Sequence, residues 1–194
     1  MLKVEESQLV ETVKGRRSIK KFQSTSVDKQ LVVDLLNDAV WAPNHGVREP
    51  WRFMLFTGEG KETIVDALQN ECERGKLSTK NPDKLIERYR HIPAHLVVVM
   101  EESEKKKIWE EDFAATSALI QNLQLLGWEQ GLGMIWKTNQ YINSGSFCED
   151  IGVQEDEKIV GIIHMGYPEE IPEAKERKKA EDKLTFVNKK ESLT

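Results

Sequence analysis

Residues 41–53 read "WAPNHGVREPWRF". The pattern of apolar residues changes period across this stretch, so the chain can be read outward from it in both directions. Behind it, "VDKQLVVDLLNDAVW" (27–41) puts Leu31, Leu35 and Ala39, with Val32, Leu36 and Val40, on a helical face. Ser26 is the expected N-cap. Pro43 marks the exit, because a proline pushes the residue before it out of the helical region. Ahead, "RFMLFT" (52–57) reads as a strand. Two prolines and a glycine thus form a rigid corner between helix and strand. The corner also carries two tryptophans, a histidine, two arginines and a glutamate, more chemistry than a turn requires. Three roles are open to it: an active site around His45, a site for a group brought from outside, or a packing corner only.

Upstream, Leu9, Val10 and Val13 mark a short helix opened by Ser7 and stopped at Gly15. The basic run "RRSIKKF" (16–22) follows. Downstream, "GEG" (58–60) is a turn and residues 61–73 an amphipathic helix. Asn81 caps a helix that starts at Pro82 and runs to about Arg90. "HLVVVM" (95–100) is continuously apolar after its histidine, as a strand buried on both faces must be. "EESEKKK" is a solvated loop. Residues 109–130 form the longest helix, apolar nearly all round, which suits an interface between subunits. "GLGMIWKT" (131–138) is a turn and strand, 144–151 a short helix, and "KIVGIIHMGYP" (158–168) a further buried strand. More than half of residues 169–194 are charged, yet "LTFV" (184–187) interrupts them with a strand-like run that could pair with a sheet edge of another subunit or simply fray. Helices and strands intermix without a regular βαβ rhythm, so the expected class is α+β, or mixed α/β, around one central mixed sheet. The expected division is a single domain over 1–168 and a C-terminal arm over 169–194.

Bulk properties remove several function classes. A net charge of −5 argues against a nucleic-acid or anionic-membrane surface. No apolar run approaches a membrane span, the start lacks a secretory pattern, and two isolated cysteines suggest a reducing compartment, so a soluble cytoplasmic protein is expected. His91 and His95 have helical spacing, but Pro93 lies between them and no cysteine pair completes a zinc set. They are expected as surface or loop-packing residues. The chain contains no G-x-G-x-x-G opening a helix and no P-loop, so a nucleotide-like cofactor would not bind by a Rossmann or P-loop route, and without G-x-S-x-G nucleophilic catalysis is poorly supported. What stands out is "RRSIKKF", four cations and one hydroxyl in six residues. Arginine's planar fork suits phosphate, although such runs are often only solvated loops.

Three segments together resemble the nitroreductase family. "RRSIKKF" is similar to its R-x-S-x-[RK]-x-F, "APNHGVREPWRF" to its A-P-S-x-x-N-x-Q-P-W-R-F, and "EQGLGMIWKT" with "IVGIIHMGYP" to its E-x-G-L-G and late G-Y-P strand. Order and spacing agree over about 13–177, and the wording is nearest a compact NAD(P)H nitroreductase-like branch. The resemblance implies a homodimer of nitroreductase-like α+β fold, with the C-terminal arm exchanged between subunits and an FMN at each interface. By that resemblance Arg16 takes a phosphate position, assisted by Arg17. Ser18 and Lys20 take the ribityl chain and the N1–O2 edge of the flavin. Trp136, Lys137 and Thr138 line its ring face and N5 side, and Lys175 with Arg177 returns to the phosphate. Pro43, Asn44 and His45 become cofactor-binding residues, and Trp41 and His45 reach the flavin of the other subunit. Val47 and Glu49 depart from the family's asparagine and glutamine. Trp51 is expected to pack in the core, and Arg52 to be exposed or to form a dimer salt bridge.

The implied activity is hydride uptake from NADH or NADPH at flavin N5, then reduction of a small electrophile (nitroaromatic, quinone or activated alkene) by a ping-pong route. No catalytic side chain and no metal are required. Residues 76–91 could serve as a lid. Two other readings are an FMN carrier or redox-sensing dimer without general turnover, and a cofactor-free interaction protein using its basic loop and acidic arm.

Overall fold

The two long apolar runs become the two central strands of a sheet, since only a strand covered on both faces can be apolar at every position. A computed structural model describes residues 7–77 and 79–188. The strands β1 (Trp51–Thr57), β2 (Ala94–Glu101), β3 (Gly133–Lys137) and β4 (Glu157–Gly166) lie in the order β1-β2-β4-β3. Each neighbouring pair is antiparallel, with Leu55 opposite Leu96, Leu96 opposite Ile163 and Trp136 opposite Ile163. The sheet expected as mixed therefore has four antiparallel strands. Its one parallel pairing among the described residues is an isolated bridge between Ser18 and Met134.

Helices cover both faces. On one side lie α2 (Lys29–Ala39) and α5 (Lys106–Glu129), closing over Leu96, Val98, Val160 and Ile163. On the other lie α3 (Glu62–Glu73), α4 (Pro82–Arg90) and α6 (Gly145–Asp150), closing over Val97, Val99, Ile159 and Ile162. The first helix, α1 (Gln8–Gly15), begins at Ser7, whose side chain accepts from Val10 N–H. Asn81 caps α4 as its sequence requires, with Pro82 in the first turn.

Two boundaries move. Asp28, not Ser26, caps α2, accepting from Gln30 N–H at 2.9 Å. Val27 is buried, so the chain tucks it into the core before the helix can start. Helix α5 starts three residues early because Lys106 and Lys107 pair with Glu110 and Glu111 one turn on, converting part of the solvated loop into helix. "LTFV" forms no strand within this chain. Leu184, Phe186 and Val187 are exposed, and residues 189–194 of the arm lie outside the described residues. Arg52 pairs with Glu157 of its own chain, its Nε donating to Oε1 at 2.6 Å, and Trp51 packs against the core as expected.

After α1 the chain runs along the outer edge of β3. Ile19 N–H donates to Met134 C=O at 3.0 Å, and Gln23 N–H to Tyr167 C=O at 2.9 Å. Ile19 is fully buried. A Cβ on Gly133 would lie 2.6 Å from Ile19 Cγ1, so glycine here is what lets the basic segment dock against the sheet.

Candidate functional site

Docking at the β3 edge fixes the direction of every side chain in "RRSIKKF". The segment leaves α1 at Arg16, whose N–H still bonds Thr12 C=O, and then extends. Residues 170–177 return past β4 to face it. Between them lies a groove of ≈ 760 Å³ lined by Lys14, Arg16, Arg17, Lys20, Lys175 and Arg177, against two acids, Glu170 and Glu173. Ser18 lines it too. The structure thus brings six of the expected residues (Arg16, Arg17, Ser18, Lys20, Lys175, Arg177) to one place, although more than 150 positions separate its ends.

The guanidinium groups in this groove have different work. Arg17 Nη1 donates to the carbonyls of Lys14, Gly15 and Arg16 at 2.6–2.9 Å, closing the C-terminal end of α1. Its Nε is buried with no hydrogen bond among the described residues. Among the described residues Arg16 has one contact of this kind, a long 3.4 Å bond from Nη1 to Gln124 of α5. Burial, then Arg17, then Arg177 push its guanidinium below the ordinary arginine value. Cations crowded together and, at Arg16 and Arg17, partly buried fit a group with several anionic oxygens.

Lys20 also borders a second, smaller cavity of ≈ 160 Å³ with Arg88 of α4, Lys137 of β3 and His164 of β4. Burial, Arg88 and Lys20 lower the Lys137 ammonium below its usual range. His95, expected at the surface or in loop packing, is instead fully buried in β2 beside His164. No group of described histidines, cysteines and carboxylates could hold a metal ion, and His91 is exposed. Helix α4 is anchored through Tyr89, which is fully buried, so this part of the 76–91 segment is built into the core. Another cavity of ≈ 710 Å³, beside α6, is lined by Glu102, Glu149, Glu155 and Cys148 and gathers none of the expected residues.

The corner at 41–49 borders neither cationic cavity. Its form is strained: Gly46, Val47 and Glu49 all have positive φ, at 64°, 51° and 49°. A β-branched residue in that region is an outlier, and such strain collects at functional sites. Asn44 holds the loop from inside, its Oδ1 accepting from Glu49 N–H at 3.1 Å and its Nδ2 donating to Ala42 C=O at 3.2 Å. Arg48 ties it to α5 through Asp112 and Glu111, with Nη2 contacts at 2.7 and 3.0 Å. Trp41, Pro43 and His45 are left exposed, Trp41 by 87%.

Trp136 and Lys137 point to opposite faces of β3. The Trp136 indole N–H donates to Val160 C=O at 3.2 Å and packs on the α2–α5 side. Gly161 makes that possible, since a Cβ there would lie 2.0 Å from Trp136 Nε1. Thr138 is exposed just beyond the strand. Sequence reasoning missed Gln124, Arg88 and His164. Gln124 could have been found as a polar residue on the buried side of α5. Arg88 carries no signal within a charged helix, and His164 only its place in an apolar strand.

Comparisons with known proteins bear on this geometry. The profile of the Nitroreductase family matches residues 13–167. A Bacillus subtilis (strain 168) protein named "Putative NAD(P)H nitroreductase YfhC" is 38% identical over 187 residues, 92% of this chain and 94% of that protein. A solved nitroreductase-like family protein from Bacillus cereus superposes with a TM-score of 0.88 at 40% identity, covering 96% of this chain and 99% of its own. At 15% identity, an FMN- and NADPH-dependent nitroreductase, NfnB, from sphigopyxis sp. strain HMH shares the fold, with a TM-score of 0.76 over 93% and 99% of the two chains.

Proposed function

This chain belongs to the nitroreductase family, and we propose that it is an FMN-dependent oxidoreductase that draws electrons from NADH or NADPH and passes them to a small electrophile. The observation that carries this reading is the cationic groove between Arg16 and Arg177, where Arg16 is partly buried and Arg17 Nε has no hydrogen bond among the described residues. Bound FMN would supply the electron-carrying ring. Arg16, Arg17, Lys175 and Arg177 hold the phosphate, and Ser18 offers a hydroxyl to the ribityl chain. Lys20, common to both cavities, places a fixed positive charge where negative charge collects on the reduced ring. Lys137 and Thr138 border the ring, with Trp136 backing the strand that carries them.

The functional unit is a homodimer in this reading. Each 41–49 loop reaches the flavin of the other subunit, which accounts for Trp41, Pro43, Asn44 and His45 bordering no cationic cavity of their own chain. Leu9 and Val13 on α1, Val33 on α2, and Leu184, Phe186 and Val187 on the arm are exposed apolar residues for a partner to cover. The domain is 1–168, and the arm 169–194 wraps the partner. No helix among the described residues is long and apolar enough to cross a membrane, which is compatible with a cytoplasmic enzyme. Donor and acceptor use the same space in turn, so kinetics with a nitroaromatic, a quinone or an activated alkene are ping-pong.

FMN titration of the apo-protein tests the reading. The Arg16→Ala, Lys20→Ala double variant removes two charge-assisted contacts. At about 1.5 kcal/mol each it should bind FMN roughly a hundredfold more weakly. Unchanged affinity would remove the groove as the cofactor site. A dimer that binds FMN yet oxidises no NAD(P)H with menadione or a nitroaromatic would be a carrier or sensor.

A further inference from the structure

The small cavity beside Lys20 has an unusual floor. His95 Nε2 lies 3.1 Å from Tyr89 C=O, which can only accept, so Nε2 carries the proton. Nδ1 of a neutral His95 is then an acceptor. Its 2.8 Å contact with His164 Nδ1 makes His164 the donor. His164 Nε2 is left as a bare lone pair, buried and without a hydrogen bond among the described residues. The His164 residue is 2% exposed and lines the cavity. Around it stand Lys20, Arg88 and Lys137, and no carboxylate pairs with any of the three among the described residues.

The groups facing His164 come from four elements: His95 on β2, Tyr89 and Arg88 on α4, Lys137 on β3, and Lys20 on the edge segment. Tyr89 is itself hydrogen-bonded to Tyr141, and Lys61 adds positive charge near His95. Among the described residues no anion balances these cations. A neutral donor would satisfy Nε2 and leave the cations alone. A neutral acceptor would meet the cations and face a lone pair. An anion satisfies the cations and, in contact with Nε2, offsets their repulsion of a proton there, so that Nε2 can take a proton and donate its N–H to the anion. The volume of ≈ 160 Å³ admits a carboxylate-sized group or one edge of a ring, but not a whole flavin.

We propose that this cavity binds a small anionic group together with one proton, which His164 Nε2 takes from solvent and donates to the group. Lys20, Arg88 and Lys137 hold it by charge. The anionic group can come from two sources: a free small oxyanion, or the negatively charged edge of reduced FMN whose phosphate lies in the adjoining groove. The second source rests on the cofactor reading above. The first stands without it.

Histidine ¹⁵N NMR at pH 7 reads the protonation of Nε2 directly. Four samples are needed: apo-protein, apo-protein with sodium formate, protein loaded with oxidised FMN, and the same protein reduced with dithionite. His164 should show a bare Nε2 in the apo-protein. Protonation with formate identifies the free-oxyanion source, and protonation only on reduction of bound FMN identifies the cofactor edge. The Arg88→Gln variant, altered at an exposed residue, should need about tenfold more formate for the same change, or, if only the reduced cofactor protonates His164, keep that protonation to a pH about one unit higher, because the Arg88 cation disfavours a charged imidazole. Absorbance reports FMN binding separately, so failure of the cofactor reading leaves the formate arm intact. A bare Nε2 in all four samples, or one already protonated in the apo-protein, would overturn the proposal.

Discussion

Acid should unfold this protein through the His95–His164 pair before its carboxylates begin to matter. An unfolded histidine takes up a proton as the pH falls below about 6.5. His95 in the fold titrates at about 4, because burial disfavours its charged form. His164 is shifted in the same direction by burial, His95, Lys137 and Arg88. Between these values the unfolded state binds more protons, so stability is fully present above pH 6.5 and is lost as the pH falls toward 4. Integrated from pH 6.5 to 4.5, with half the slope of 1.36 kcal/mol per unit at the upper end, that is about 2 kcal/mol from His95 alone. Glu71, Asp150 and Glu157 are held below the ordinary carboxylate range, so their contributions fade only at lower pH. Urea unfolding followed by circular dichroism, at fixed protein concentration, measures the effect. With a slope near 2 kcal/mol/M, the midpoint should drop by about 1 M across the window. The His95→Gln, His164→Gln double variant should be less stable at pH 7 and nearly flat over the same range. A wild-type midpoint that moves by less than about 0.3 M, or a double variant that keeps the wild-type slope, would refute the buried neutral pair.

Two further substitutions probe the corner and the sheet by thermal unfolding. Val47→Gly removes a β-branched residue from a positive φ at little packing cost, since Val47 is 75% exposed. It should raise stability by roughly 0.5–1 kcal/mol, and a lower melting temperature would deny the strain. Gly161→Ala puts a methyl where the Trp136 indole lies. It should cost about 2 kcal/mol or more and release the indole fluorescence from its buried environment, whereas a neutral result would mean that the indole moves aside freely.

The sheet was legible because "HLVVVM" and "KIVGIIHMGYP" are apolar at nearly every position, and only central strands need that. The groove was legible through the resemblance of "RRSIKKF" and the late Lys175–Arg177 pair. Composition alone would have left that run a solvated loop. What the sequence hid was pairing across distance. Nothing local tells that Gln124 meets Arg16, or that Arg48 finds Asp112. His95 was misread because Pro93 and a charged helix precede it, while its burial depends on β4 bringing His164 alongside. The helix start at Asp28 was missed for a similar reason: Ser26 is the nearer capping residue, but burial of Val27 decides where the turn begins. "LTFV" has strand propensity but lies exposed and unpaired within its own chain, so whether it adds to a partner's sheet is decided by assembly and not by local sequence.

The central claim is that the groove and the neighbouring cations hold an FMN that cycles electrons. Anaerobic stopped-flow mixing of FMN-loaded protein with NADPH or NADH, followed by addition of a nitroaromatic, tests it in one trace. The visible flavin absorbance should bleach with at least one of the two donors and return when the acceptor is added. Bound flavin that stays oxidised with both donors, or a purified protein that fails to retain FMN, would contradict it.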